Sequence, residues 1–128
     1  MITLKHNKTP TSTQHIYGYM AFGRHKLSKY MTAKAKKFKE DFLASINKQL
    51  PMKYKPMSGD LEMKYFLTFP DKRKRDCDNY WKLVLDTMNG VVYEDDSQIQ
   101  KLIISKKIVK GKSGIVIKIK EIKWKNTQ

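Results

Sequence analysis

The clearest hydrophobic signal in this chain is an alternation. Leu61, Met63, Tyr65, Leu67 and Phe69 take every second position, while Asp60, Glu62, Lys64 and Thr68 fill the places between. A period of two puts successive side chains on opposite faces, so this stretch predicts a strand with one apolar face, and only Phe66 breaks the pattern. Earlier in the chain Met31, Ala35, Phe38, Phe42 and Ile46 follow helical spacing. They predict a first helix from Lys29 to Leu50, with Ser28 as N-cap and Pro51 as the stop. Lys34, Lys36, Lys37, Lys39 and Lys48 mostly occupy its complementary surface, as a solvated helix face would. Further on, Tyr80, Val84 and Met88 form an apolar row with Trp81 and Leu85 beside it. This predicts a second helix with Asp78 as N-cap and Gly90 as its stop.

Two more strands are expected at Gln98 to Val109 and Ile115 to Ile122. They are joined by the glycine-bounded turn Gly111-Lys112-Ser113-Gly114 as a C-terminal hairpin. Ile115, Ile117 and Ile119 would face inward, with Lys118 and Lys120 outward. Ile2 and Leu4 alternate with Thr3 and Lys5 as a short first strand, and Lys8 to Leu27, without a sustained period, reads as a long loop. The expected fold is α+β: one domain over 1–128, a mixed sheet in the order strand, helix, strand, helix, strand, strand, and two helices packed on it.

Charge changes this picture. The 128 residues carry a formal charge of +15 with only 12 acids, and the pI is near 9.9. Cations spread through the whole chain predict a polyanionic partner, with nucleic acid first among them. No apolar run could span a bilayer, and no Arg/Lys-rich helix carries the Trp/Phe/Leu face that suits a membrane surface, so no membrane partner is expected. A single cysteine excludes an intrachain disulfide and the N-terminus lacks a signal-peptide core, which together place the protein in the cytoplasm.

The acids are unevenly placed. Seven of the 12 (Asp71, Asp76, Asp78, Asp86, Glu94, Asp95 and Asp96) fall within residues 71–96. If Asp76, Cys77 and Asp78 are extended, both aspartates share one face. Such a pair of oxygen ligands selects a hard divalent ion such as Mg²⁺. The triplet Glu94-Asp95-Asp96 is a solvated turn or, folded back to the same end of the sheet, part of that site. Lys72, Arg73, Lys74 and Arg75 immediately precede the aspartates and suit a phosphate backbone that must approach them. Arg24 and Lys26, in the long loop with Tyr17 and Tyr19, are further candidates for DNA contact, although the tyrosines serve equally well as core cover. Lys82 and Asp86 follow Asp78 on one helix face, where exposed ion pairs at i,i+4 would also explain them. His6, His15 and His25 lack zinc spacing, Cys77 has no histidine near it, and there is no phosphate-binding glycine loop.

Arg75-Asp76-Cys77-Asp78-Asn79, Lys82, Asp86, Gly90 and Asp95-Asp96, in that order and spacing, resemble the RusA family of phage-type Holliday-junction resolvases. The resemblance runs from the strand before Pro70 to the C-terminal strands. It implies that Asp76, Asp78 and Asp96, with Asp95 as a further candidate, hold Mg²⁺, for which Mn²⁺ would substitute, and that Lys82 serves catalysis. It also implies an endodeoxyribonuclease that resolves four-way DNA by paired nicks in recombination and repair. Such an enzyme would work in the bacterial host cytoplasm if phage- or prophage-encoded. Two equivalent strands at a junction call for a homodimer. A Pro-Pro-Ser-x-Asn segment expected near the start of the family pattern is replaced here by Thr9-Pro10-Thr11-Ser12-Thr13. Two alternatives stand beside this one: a non-catalytic basic nucleic-acid-binding protein, and a flap or branched-DNA nuclease of the same chemistry.

Overall fold

The computed structural model describes residues 1–22 and 26–124, with the backbone alone over 20–22 and 26–28. Its elements are β1 (Ile2–His6), β2 (Tyr17–Phe22), β3 (Lys26–Met31), α1 (Ala33–Gln49), β4 (Leu61–Phe69), α2 (Lys82–Met88), β5 (Ile99–Ile108) and β6 (Gly114–Glu121). Short 3₁₀ turns at Thr13–His15, Cys77–Tyr80 and Asp96–Gln98 join some of them. The α+β architecture is as expected, with a four-stranded mixed sheet and a separate two-stranded one.

The five alternating residues of β4 are all buried, at 1% exposure or less, and form the middle of the core. Against them pack Ala35, Phe38, Phe42 and Ile46 from α1, Val84, Leu85 and Met88 from α2, and Ile115, Ile117 and Ile119 from β6. Fully burying an apolar side chain of this size stabilises the fold by about 1.5–3 kcal/mol, so β4 is the element the others are built on. Both helices cover one face of the sheet. The alternate β4 positions, Glu62, Lys64, Phe66 and Thr68, look the other way and are half-buried or exposed.

Three expectations need correction. The first helix starts at Ala33, not Lys29: the Thr32 side chain accepts from the Ala35 amide, and Ser28 to Met31 belong to β3. Both caps suit a helix start, and antiparallel pairing of β3 with β2 decides between them, with Tyr17 opposite Met31 and Phe22 opposite Lys26. That pairing also places a hairpin within what reads as a loop from Lys8 to Leu27. Finally, β5 and β6 form no hairpin. The sheet order is β1-β6-β4-β5, with β5 parallel and β6 antiparallel to β4 on its two sides. Residues 109–113 step over the end of β4, a crossing of two strand spacings or about 10 Å that five residues span easily. β6 starts at Gly114 because a Cβ there would sit 2.7 Å from the His6 carbonyl oxygen. Among the described residues no helix is long and apolar enough to cross a membrane.

Candidate active site

Pro70 ends β4 and releases the chain into the acidic stretch. Asp71 organises the turn that follows: its carboxylate accepts from the Arg73 amide at 3.0 Å and pairs with the Arg75 guanidinium at 3.0 Å. These contacts, the Arg73 amide first, hold its carboxyl below the usual carboxylate range. The same guanidinium donates to the Asp71 and Arg73 carbonyls and stacks 4.6 Å from the centre of the Phe69 ring. Arg75, 11% exposed, therefore braces the loop, whereas Lys72, Arg73 and Lys74 project into solvent. Lys106 at the end of β5 caps the Arg75 carbonyl.

The aspartate pair is shaped differently from the extended expectation. Asp76 is extended, but Cys77–Tyr80 closes into a 3₁₀ turn with the Asn79 amide on the Asp76 carbonyl at 3.1 Å. Three residues per turn replace the period of two, so alternation no longer sets how Asp76 and Asp78 face. Asp78 is not an N-cap. It lies inside the turn, and α2 begins four residues later. The turn is fixed from beneath by the Tyr65 hydroxyl, which donates to the Tyr80 carbonyl at 2.6 Å, and by the Tyr80 ring, edge-on to Phe69 at 5.1 Å. Cys77 is free and half-buried.

Lys82 opens α2 and pairs with Asp86 at 3.7 Å, both side chains well exposed. Gly90, at φ 75°, ends this helical segment, and the backbone of 90–94 is pinned by Gly90 to Tyr93 and by Met57 to Val92 and Glu94. Asp95 then caps the 3₁₀ turn Asp96–Gln98: its side chain accepts from the Ser97 amide at 3.0 Å while Gln98 accepts from the Asp95 amide at 2.8 Å. Ser97, through its side chain first and its amide second, holds the Asp95 carboxyl below the usual carboxylate range. The buried Tyr93 hydroxyl donates to the Leu85 carbonyl at 2.8 Å. Burial raises its pKa, and the negative charges of Asp96, Asp86 and Asp95, in that order, add to the effect.

The acids thus divide into two groups. Asp71, Asp86 and Asp95 have cation or amide partners. The carboxylates of Asp76, Asp78 and Asp96, and that of Glu94, have none among the described residues. In kind this oxygen-only, unpartnered set fits a hard divalent ion. It is not gathered into a cage: among the described residues no three His, Cys, Asp or Glu side chains lie together in an arrangement that could hold a metal.

The N-terminal segment supplies residues that the sequence reading did not single out. Ser12, Gln14 and His15 line a depression of about 290 Å³ together with Lys74, Arg75, Asp76, Asn79 and Tyr80. Thr13 donates to the Asn79 carbonyl at 3.1 Å, and Ser12 bonds the His15 ring at 2.6 Å. In sequence this segment is marked only as the place where Thr9-Pro10-Thr11-Ser12-Thr13 replaces the family's Pro-Pro-Ser-x-Asn pattern. Arg24 lies outside the described residues, and Lys26 falls in β3 where only backbone is described.

The family model described as Endodeoxyribonuclease RusA matches residues 10–120. Over 55 residues the chain is 44% identical to a protein of Aquifex aeolicus (strain VF5) named Crossover junction endodeoxyribonuclease RusA. That alignment spans 42% of this chain and 44% of the relative. The family match takes in the 3₁₀ turn of Asp76 and Asp78, α2 and the Asp95-Asp96 turn, together with the strands that hold them, and the chain belongs to the RusA family of endodeoxyribonucleases.

Proposed function

We propose that this chain is a divalent-metal-dependent endodeoxyribonuclease that resolves four-way DNA junctions by paired nicks, acting as a homodimer in the cytoplasm. One observation carries the reading. In a chain of net charge +15, the carboxylates of Asp76, Asp78 and Asp96, like that of Glu94, have no cation or donor among the described residues, while neighbouring Asp71, Asp86 and Asp95 are satisfied. Mg²⁺ or Mn²⁺ would be held by these three carboxylates, with Asp95 committed first to its capping bonds. When bound, such an ion supplies an activated water and charge stabilisation at the phosphoryl oxygens. Lys82 neutralises the scissile phosphate and the charge that grows on it, exchanging its weak contact with Asp86 for a stronger one. Lys72, Arg73 and Lys74 offset the repulsion between a phosphate backbone and the acids that follow. A two-fold dimer sets one site at each of two equivalent strands.

The test is cleavage of a synthetic four-way junction, a flap and a linear duplex with and without Mg²⁺, by wild type and by the double variant Asp76→Asn, Asp96→Asn. Junction-selective, Mg²⁺-dependent cutting that the double variant loses is expected. Cutting of all three substrates alike removes the junction assignment, and a wild type that stays monomeric in light scattering, free and on DNA, removes the dimer. A second reading, a non-catalytic DNA-binding protein, is favoured by the absence of a gathered metal cage among the described residues. It predicts junction binding that Mg²⁺ leaves unchanged and no cleavage.

A further inference from the structure

We infer that the open face of the four-stranded sheet, opposite α1 and α2, is a second DNA-contacting surface that takes the backbone phosphates of a duplex arm. The inference rests on the proposed action on branched DNA.

The register assigns the face. Thr3, Lys118, Lys64 and Ile103 form one row across the sheet, and Lys5, Val116, Phe66 and Ser105 the next. Lys107 lies beside Thr68 at one end, and Lys120, Glu62 and Lys101 form a row at the other. This face therefore carries six lysines and a single acid, Glu62, which already bonds Lys120 at 3.1 Å and Lys101 at 3.5 Å. Lys5, Lys64, Lys107 and Lys118 have no acidic partner among the described residues.

Lys64 and Lys118 stand directly opposite each other on antiparallel strands, an arrangement in which like charges destabilise a sheet. Solvent alone gives no reason for it, and a polyanion does. Phe66 lies at the centre with the Lys118 ammonium 6.0 Å from its ring, the lone aromatic of the face. Stacking of unpaired bases uses several such rings, so the chemistry favours phosphates over bases. Shallow depressions of about 250 and 190 Å³ lie on this face, and one of about 550 Å³, which reaches round to Ser45 of α1, adjoins them at the end of the sheet. The largest, lined by Lys5, Lys107 and Lys112, lies at the end of β4 where the acidic stretch departs. From the Glu62 row to the Thr68 row is six residues, about 20 Å at 3.3 Å each, which matches six base-pair rises of about 3.4 Å. A second copy of the chain is the other conceivable occupant, but two such faces would oppose lysine to lysine.

The experiment uses the full chain, with a four-way junction and a linear duplex of synthetic oligonucleotides, in EDTA over a series of salt concentrations. Lys64→Gln with Lys118→Gln removes both charges and leaves polar side chains one atom shorter. Each phosphate contact contributes about 0.9 to the log–log salt slope, so the double variant should bind both DNAs with a slope shallower by about 1.8. Its melting temperature without DNA should stay level or rise, since the opposed pair is gone. Lys64→Glu with Lys118→Glu should weaken binding further. An unchanged slope in the Gln variant overturns the inference, as does a change in oligomeric state with DNA affinity intact, which makes the face a subunit interface. If wild type itself binds no branched DNA, the proposed function fails, and a tight wild type beside an unchanged double variant defeats this inference alone.

Discussion

Lys82→Ala separates catalysis from stability, and the structure supplies the magnitudes. Lys82 meets Asp86 at 3.7 Å with both side chains about two-fifths exposed. At that distance in water-like surroundings the attraction is about 1 kcal/mol, and holding two mobile side chains together leaves about 0.3–0.5 kcal/mol. Against this, Lys82 is the first residue of α2, the end at which backbone dipoles disfavour a cation by a few tenths of a kcal/mol. Alanine is also the better helix former. These contributions nearly cancel, so the variant should unfold within about 0.5 kcal/mol of wild type, a shift of about 2 °C. On the proposed reading this lysine, which adds so little to the fold, serves a ligand. If that ligand is the scissile phosphate, removing the charge costs about 2.7–4 kcal/mol of transition-state stabilisation, or about 10²–10³ in rate. Single-turnover cleavage of a four-way junction at saturating enzyme reads this directly, and Lys82→Arg should retain more activity than the alanine variant. Cleavage by Lys82→Ala within threefold of wild type, or a drop of many degrees in melting temperature, would show that Lys82 is a helix-surface residue and nothing more.

Asp78→Asn replaces an exposed side chain without partners, so stability should hold within about 0.5 kcal/mol. Junction affinity in EDTA, followed by anisotropy, should stay level or rise while Mg²⁺-dependent cleavage falls by orders of magnitude; near-wild-type cutting would sink the metal assignment. Tyr65→Phe leaves the Tyr80 carbonyl without its donor, which should cost about 1–3 kcal/mol and speed hydrogen exchange at the Asn79 amide. An unchanged exchange rate would mean the turn needs no such brace. His6 sits edge-on to Phe38 and Phe42 at 5.5 and 5.4 Å with Nε2 buried and unpartnered. Burial first, then Lys8, lowers its pKa, with Asp41 opposing. Its contribution to stability is therefore complete above about pH 6.5, the unfolded value, and is lost as pH falls towards the folded pKa. His6→Phe should flatten urea-unfolding stability between pH 8 and 5 relative to wild type, and an identical slope in both proteins would refute this.

Residues whose partners are close in sequence or whose pattern is strict were legible from sequence. The strand of Leu61 to Phe69, the buried stripe of Ala35, Phe38, Phe42 and Ile46, and the inward isoleucines of β6 all take their expected places. Met31 fits the helical stripe by spacing yet lies in β3, because pairing with Tyr17 is a tertiary contact that no local period encodes. The hairpin reading of β5 and β6 failed for a similar reason: Gly111 and Gly114 mark a reversal of the chain without saying which strand will receive it. The site shows the same division. The acids and the cation run were visible as composition. Which of them are already satisfied was not, since the Asp71–Arg75 brace and the Asp95–Gln98 box depend on backbone geometry. The wall formed by Gln14 and His15 beside Asp76 joins segments more than 60 residues apart, and nothing local announces it.

The place of β6 governs how the molecule comes into being. β1, made before the other elements described, has β6 as its sheet partner, and β6 also forms one flank of β4. While the ribosome is still adding residues 70–110, β1 has α1 beside it but no strand partner, and β4 shows bare edges beside its buried face. The sheet closes only when Glu121 has emerged. Pairings this distant along the chain are slow to form, so refolding should be slow for the protein's size, and unfinished chains are the species most exposed to edge-to-edge aggregation.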